Sequence, residues 1–205
     1  MPDFSLEDEV LGLVAGIDEA GRGPWVGPVV AGCVIFVNRD IHPFLLENLN
    51  DSKKISKKKR EKLYELLLEE KEKGNIFAGV GQASAEEIDE LNILNATFLA
   101  MNRALENSKG KPVFVLVDGN KVPKGLAVDG KAVVKGDAKS YSISAASIMA
   151  KVYRDKLMEE MAKEYPNYGF ENNAGYGTKE HIEALKKYGV TPHHRKSYKP
   201  IKEFL

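Results

Sequence analysis

Leu11-Gly12-Leu13-Val14-Ala15-Gly16-Ile17-Asp18-Glu19-Ala20-Gly21-Arg22-Gly23-Pro24, followed by Val29-Val30-Ala31-Gly32-Cys33-Val34-Ile35-Phe36-Val37, decides the architecture of this chain. Leu11 to Ile17 reads as a short strand ending in the paired acids Asp18 and Glu19. A glycine-rich turn follows, and the second run is β-branched and too short for most helices, which predicts a largely buried strand. The glycines are not a dinucleotide fingerprint. That motif needs a helix after them to receive a pyrophosphate, whereas Pro24 and Pro28 lead into a second strand. Such glycines instead let backbone amides approach a sugar or phosphate closely, with Arg22 available for charge, or form an ordinary hairpin turn.

Working outward, a basic helix-prone segment starts near Ser56 and runs through Leu63, Leu66 and Leu67 to Gly74, a C-cap. Ile76 to Gly81 makes a third strand. Ser84, with Glu86 and Glu87, opens a long amphipathic helix carrying Ile88, Leu91, Leu94, Phe98, Leu99 and Leu105. Val113 to Val117 is a clear strand that stops at Asp118-Gly119, and Ala132 to Val134 repeats the design before Gly136-Asp137. Ser140 to Glu164 reads as a helix that Tyr165-Pro166 ends, and a last helix spans Lys179 to Tyr188. Three strands, helices, then alternating strands and helices predict an α/β fold: a mixed central sheet flanked by helices, with a small C-terminal helical extension.

The 205 residues suit one compact unit, a catalytic domain over 1–188 with a basic tail over 189–205 packed on it or extending from it. Apolar residues are 43% and charged residues 29%, which excludes disordered, collagen-like and disulfide-scaffold classes. No stretch approaches the ~18 apolar residues of a membrane span, and Met1-Pro2-Asp3-Phe4 lacks a basic region followed by an apolar one, so a cytoplasmic protein without a membrane is expected. The single cysteine, Cys33, lies in an apolar run and reads as a small buried side chain. Net charge is zero but uneven: residues 1–108 hold 12 Lys/Arg against 19 Asp/Glu, and residues 109–205 hold 18 against 11. A polyanion suits the basic half, although such splits also occur in proteins that bind nothing charged.

Four carboxylates, Asp18, Glu19, Asp118 and Asp137, each follow a short β-like run or the glycine that closes it. Strand ends of an open α/β sheet share one edge, so three strands could bring them together. Crowded like charges raise one another's pKa values unless a divalent cation compensates them, and oxygen-only ligands favour Mg²⁺ or Mn²⁺. Two such ions would serve phosphodiester hydrolysis or phosphoryl transfer. Along an ideal strand Asp18 and Glu19 point to opposite faces, so both reach a metal only where the strand bends or ends. The bland alternative for any one acid is a turn or helix cap, and Asp129 is read that way. His42, His193 and His194 lie in loop-like segments and read as surface rather than metal ligands, while capping or packing suffices for His181. Asn95-Ala96-Thr97 fits a glycosylation pattern inside a predicted helix and is set aside.

Together these residues resemble the type 2 ribonucleases H, and the bacterial ribonuclease HII branch in particular. Gly16 to Pro24 resembles the family's opening signature, and Asn50-Asp51-Ser52-Lys53-Lys54 its second motif. Asp89 to Leu94, Val117 to Asn120, Lys135 to Ile148, Ala150-Lys151-Val152 and Gly175 to Thr178 continue the match in order. The related type 3 enzymes differ in the opening glycine segment and carry an extra N-terminal domain, for which the residues before Leu11 leave no room. The resemblance implies a ribonuclease H-like fold and Mg²⁺ or Mn²⁺ dependence. It also implies endonucleolytic cleavage of RNA in RNA–DNA hybrids and at single ribonucleotides embedded in duplex DNA. Cut on the 5′ side of the ribonucleotide, these would leave 3′-hydroxyl and 5′-phosphate ends, as ribonucleotide excision repair requires. It matches Asp18, Glu19, Asp118 and Asp137 to the family's catalytic metal-binding acids, Gly21, Arg22 and Gly23 to the segment that senses the ribose 2′-hydroxyl, and Tyr176 to a tyrosine at the RNA-to-DNA junction sugar. Lys53 and Lys54 are candidate phosphate contacts or a solvated basic face. Asn172-Asn173-Ala174 departs from the family, which commonly has a His-Lys pair there, so that lysine's phosphate contact is absent. A monomer with no obligate protein partner is expected. Two other readings stay open: a catalytically silent hybrid-binding protein of the same fold, and a phosphoryl-transfer enzyme on small nucleotides.

Overall fold

The computed structural model describes residues 1–52 and 54–205. Five strands, β1 (Val14–Ala20), β2 (Val29–Phe36), β3 (Ile76–Ala83), β4 (Phe114–Asp118) and β5 (Gly130–Val133), form one mixed sheet in the order β3-β2-β1-β4-β5. β1 pairs antiparallel with β2 and parallel with β4, and β5 runs parallel to β4. The helices are α1 (Pro43–Asn48), α2 (Lys57–Glu72), α3 (Ala85–Ser108), α4 (Tyr141–Glu164), α5 (Phe170–Asn173), α6 (Lys179–Tyr188) and α7 (Lys199–Lys202). Among the described residues no helix is long and apolar enough to cross a membrane.

The period-2 pleat of β2 sorts its residues between two cores. Val29, Ala31, Cys33 and Ile35 pack with α3, while Val34 and Phe36 pack with α2 and α4. That double burial is why the run carries no polar residue. α4 lies close on the sheet because glycines and small residues meet: a Cβ on Gly16 would stand 2.1 Å from the Ser142 carbonyl carbon, and one on Gly32 2.3 Å from the Ala146 oxygen. The N-termini of α2, α3 and α4 are capped as their sequences foretell. Ser56 accepts from Lys59 N, and Ser84 with Glu87 closes a reciprocal capping box, a device that contributes about 1 kcal/mol. At α4, Ser140 accepts from Ile143 N.

Several local expectations are corrected. β1 begins at Val14 rather than Leu11, which is fully exposed beside Gly12 at φ 127°. It continues through the acids instead of stopping at them, because β2 pairs with it as far as Ala20↔Val30. β3 runs two residues past Gly81, and β5 is Gly130–Val133, with Val134 exposed outside it. The predicted single helix from Ser84 is broken at Asn92 (φ 66°, ψ 162°), whose Oδ1 accepts from Leu94 N and Asn95 N and so caps a second helical segment. The short helices α1, α5 and α7 carry too few residues for periodicity to reveal them.

Candidate active site

β1 and β4 are parallel neighbours whose last registered pair is Ile17↔Val117. Asp18, inside β1, and Asp118, at the end of β4, therefore follow at the same level on adjacent strands. Past Ile17 the β4-facing side of β1 has no ladder partner while the β2 side continues, so Asp18 and Glu19, on opposite pleat faces, border one opening. Asp137, expected at the end of a strand, instead stands in a 3₁₀ turn (Gly136–Ala138) between β5 and α4. The turn is tied to the neighbouring acid, since Gly136 N donates to Asp118 Oδ1 at 2.7 Å.

All four acids line a cleft of about 360 Å³ together with Gly21, Arg22, Gly23, Ser52, Lys151 and Tyr176. Asp18 is buried, and burial, then Glu19, Asp118 and Asp137, raise its carboxyl well above the ordinary carboxylate range, against a 2.7 Å hydrogen bond from Glu19 N. Glu19 is partly relieved by Arg22, 3.3 Å away. Among the described residues no three His, Cys, Asp or Glu side chains form a closed ligand group. What the residues offer is a row of hard oxygen donors whose mutual repulsion a divalent cation would relieve, so the donor chemistry fits Mg²⁺ or Mn²⁺ and does not fit zinc.

The glycine segment is held from below by two buried arginines that sequence reasoning missed. Arg195 donates from Nη2 to Gly21 O (2.5 Å) and Gly27 O (2.9 Å), from Nε to Gly27 O (3.0 Å) and from Nη1 to Arg22 O (2.9 Å), and Tyr198 Oη also donates to Arg22 O (2.7 Å). Arg154 donates to the carbonyls of Pro28, Val26 and Ala174. Neither is in a salt bridge among the described residues, and burial lowers both, Arg154 to about 10 with Arg195 contributing. A trans peptide is planar with its C=O and N–H opposed. With the Gly21 and Arg22 carbonyls turned in to Arg195, the Arg22 and Gly23 N–H groups point away from it, on a segment that lines the cleft. Gly21 is obligatory here: φ is +93°, and a Cβ would fall 2.1 Å from Arg154 Nε.

Tyr176 is 53% exposed and lies against Gly23, where a Cβ would meet its Cε1 at 3.4 Å. Arg60 Nη1 donates to the carbonyls of Ser52 and Ile55 and shapes the second motif. Lys54 is exposed, 3.8 Å from Asp51, and is not in the cleft lining; Lys53 lies outside the described residues. Lys151, which sequence reasoning quoted without a role, is in the lining and bonded to Asp155 at 2.6 Å. His194 is corrected outright. It is 1% exposed, not a surface residue, and its Nε2 lies 3.1 Å from that of the equally buried His181. A signal for Arg154 did exist, since it shares helical spacing with buried Ala150 and Met158.

The sequence profile described as Ribonuclease HII matches residues 15–201. The chain belongs to the ribonuclease HII family. The ribonuclease HII of Paramagnetospirillum magneticum is 51% identical over 205 residues, covering 100% of this chain and 99% of the relative. Among solved structures, the ribonuclease H2 of Pyrococcus horikoshii superposes with a TM-score of 0.73 at 29% identity, covering 94% of this chain and 96% of that one. Bst-RNase HIII, solved in complex with Mn²⁺, gives 0.71 at 14% identity over 93% of this chain and 68% of that one, a likeness of fold. Membership in the ribonuclease HII family makes this chain a ribonuclease H, a hydrolase acting on RNA–DNA hybrids.

Proposed function

We propose that this ribonuclease H cleaves not only the RNA of continuous hybrids but also duplex DNA at a single embedded ribonucleotide, on its 5′ side. Asp18, Glu19, Asp118 and Asp137 are the catalytic acids in this reading, and they would hold Mg²⁺ or Mn²⁺. When bound, such ions activate a water and stabilise the leaving oxygen of an in-line displacement. The phosphorus–O3′ bond breaks, leaving a 3′-hydroxyl on the upstream strand and a 5′-phosphate on the ribonucleotide.

The observation that carries the reading is the adjacency of two chemistries in one cleft. Glu19 and Gly21 are two residues apart, so a segment with outward amides begins where the acids end. In this reading the Arg22 and Gly23 N–H groups meet the ribose 2′-hydroxyl, the group that distinguishes RNA from DNA. The exposed ring of Tyr176 packs on the following sugar and penalises a second hydroxyl there. Lys151, at the cleft wall, supplies positive charge toward the backbone phosphate.

The test is a DNA duplex with one ribonucleotide, incubated with Mg²⁺ and with Mn²⁺. Cleavage 5′ to the ribonucleotide by the wild type, abolished in Asp18→Asn, is expected. Hybrid binding without turnover in either metal would overturn it in favour of the silent binding protein, and competition by mononucleotides would favour the small-nucleotide reading.

A further inference from the structure

The Tyr176 side chain has little to hold it in place. Its ring is half exposed, and both neighbours are glycines, Gly175 at φ 82° and Gly177 packed under the Trp25 indole. The ring's position must therefore come from the tyrosine's own backbone. The Tyr176 N–H donates to Asn173 O at 2.9 Å, and its carbonyl accepts two hydrogen bonds, from Thr178 N at 2.8 Å and from His181 Nδ1 at 2.9 Å, the last being the one side-chain bond to this backbone among the described residues.

A carbonyl only accepts, so His181 carries its proton on Nδ1, and the neutral ring leaves Nε2 bare. At the far end Thr191 N–H donates to His194 Nδ1 at 2.8 Å, so the neutral His194 carries its proton on Nε2. The two Nε2 atoms are 3.1 Å apart and share that single proton. Donation thus runs one way, from Thr191 through His194 and His181 to Tyr176. Both rings are buried among Tyr168 and Phe170, with Trp25 against His181. A second proton would set two N–H groups face to face, and burial holds both imidazoles below their ordinary range.

The same few residues also grip the glycine side of the cleft. His194 bridges Val26, His193 O accepts from Gly27 N at 2.9 Å, and Arg195 N donates to Trp25 O at 2.8 Å. We propose that His194 and His181 are positioning residues that set the place of Tyr176 relative to Gly23. They thereby govern how strictly the enzyme demands a deoxyribose after the ribonucleotide. The inference rests on the reading that Tyr176 meets that sugar.

His194→Phe keeps a ring in the aromatic cluster and deletes the relay; His194→Gln returns an N–H donor toward His181. The measurement is kcat/KM on duplex DNA with one ribonucleotide against the same duplex with a continuous RNA stretch. The Phe variant should lower the ratio by about tenfold toward that of Tyr176→Ala, and Gln should recover part of it. His194→Phe should add nothing to Tyr176→Ala. An unchanged ratio in the Phe variant, or equal losses on both substrates, overturns the inference while Tyr176→Ala still lowers the ratio. If Tyr176→Ala itself leaves the ratio unchanged, the reading of Tyr176 has failed and takes the inference with it. Should the Phe variant not fold, ¹⁵N imidazole spectra of the wild type decide at neutral pH. The Nδ1–H form of His181 and the Nε2–H form of His194 are required, and the opposite tautomer in either ring refutes the relay.

Discussion

Replacing Arg195 by Met keeps a long apolar stem and removes the guanidinium that the glycine segment closes around. The carbonyls of Gly21 and Gly27 then lose every hydrogen-bond partner they have among the described residues, while Arg22 O keeps Tyr198 Oη at 2.7 Å. Leaving a buried acceptor unmade costs about 1–3 kcal/mol, so two give about 2–6 kcal/mol. Loss of a buried cation whose desolvation already opposes its charge offsets part of this. A net destabilisation of about 3 kcal/mol is expected, which for a chain of this size lowers Tm by roughly 6–12 °C. Lys in place of Met reaches one carbonyl but not three, and should fall between. Urea unfolding gives the stability, and cleavage of single-ribonucleotide duplex reads the proposed function, which should fall further than the population of folded protein explains. A Met variant within about 0.5 kcal/mol of wild type would refute the reasoning, because the carbonyls would then have found other partners.

Other outcomes follow from the same contacts. His194, held at about 4 against an ordinary 6.5, binds its proton less readily folded than unfolded. It contributes stability above the unfolded value that is lost as pH falls from 6.5 toward 4, by no more than about 3 kcal/mol; urea unfolding of wild type and His194→Gln across that window should show the difference closing. Asp18 is shifted the other way, so its charge is a burden above the unfolded value that fades as pH falls. Asp18→Asn should melt higher than wild type in EDTA at neutral pH, by a few degrees for about 1 kcal/mol, with the gap shrinking in acid; calorimetry checks both. Glu7 Oε1 accepts from Ser140 Oγ, Ser142 N and Ser142 Oγ at the start of α4. Glu7→Ala should cost about 2–4 kcal/mol in urea unfolding. Burial pushes the Cys33 thiol up to about 12, so a thiol reagent should label it only at the rate of unfolding.

The sheet and the acids were legible because buried strands leave a strong mark: β-branched runs that stop abruptly at Asp18, Asp118 and, past a glycine, near Asp137. What periodicity cannot show is where a ladder continues, and β1 carries its acids inside the strand only because β2 pairs alongside. The support beneath the glycine segment left no such mark. Arg195 and His194 stand in a polar tail whose composition reads as solvated, yet their partners are backbone carbonyls and another imidazole. Backbone groups have no letter in a sequence. Asn92 was hidden similarly, since a side chain that caps from within a helix looks like one more polar residue on its exposed face.

The reach of Arg195 has a temporal side. Its contact with Gly21 O spans 174 residues of chain. At translation rates of about 5–20 residues per second, the glycine turn leaves the ribosome roughly 10–35 s before the residue that shapes it. The five strands and the turn that carries Asp137 all precede residue 195, so the four acids can come together before the glycine segment gains this support. In the proposed reading a nascent nuclease thus acquires discernment last, and a chain that ends before residue 195 has its acids in place but lacks the support beneath the segment that selects the ribonucleotide.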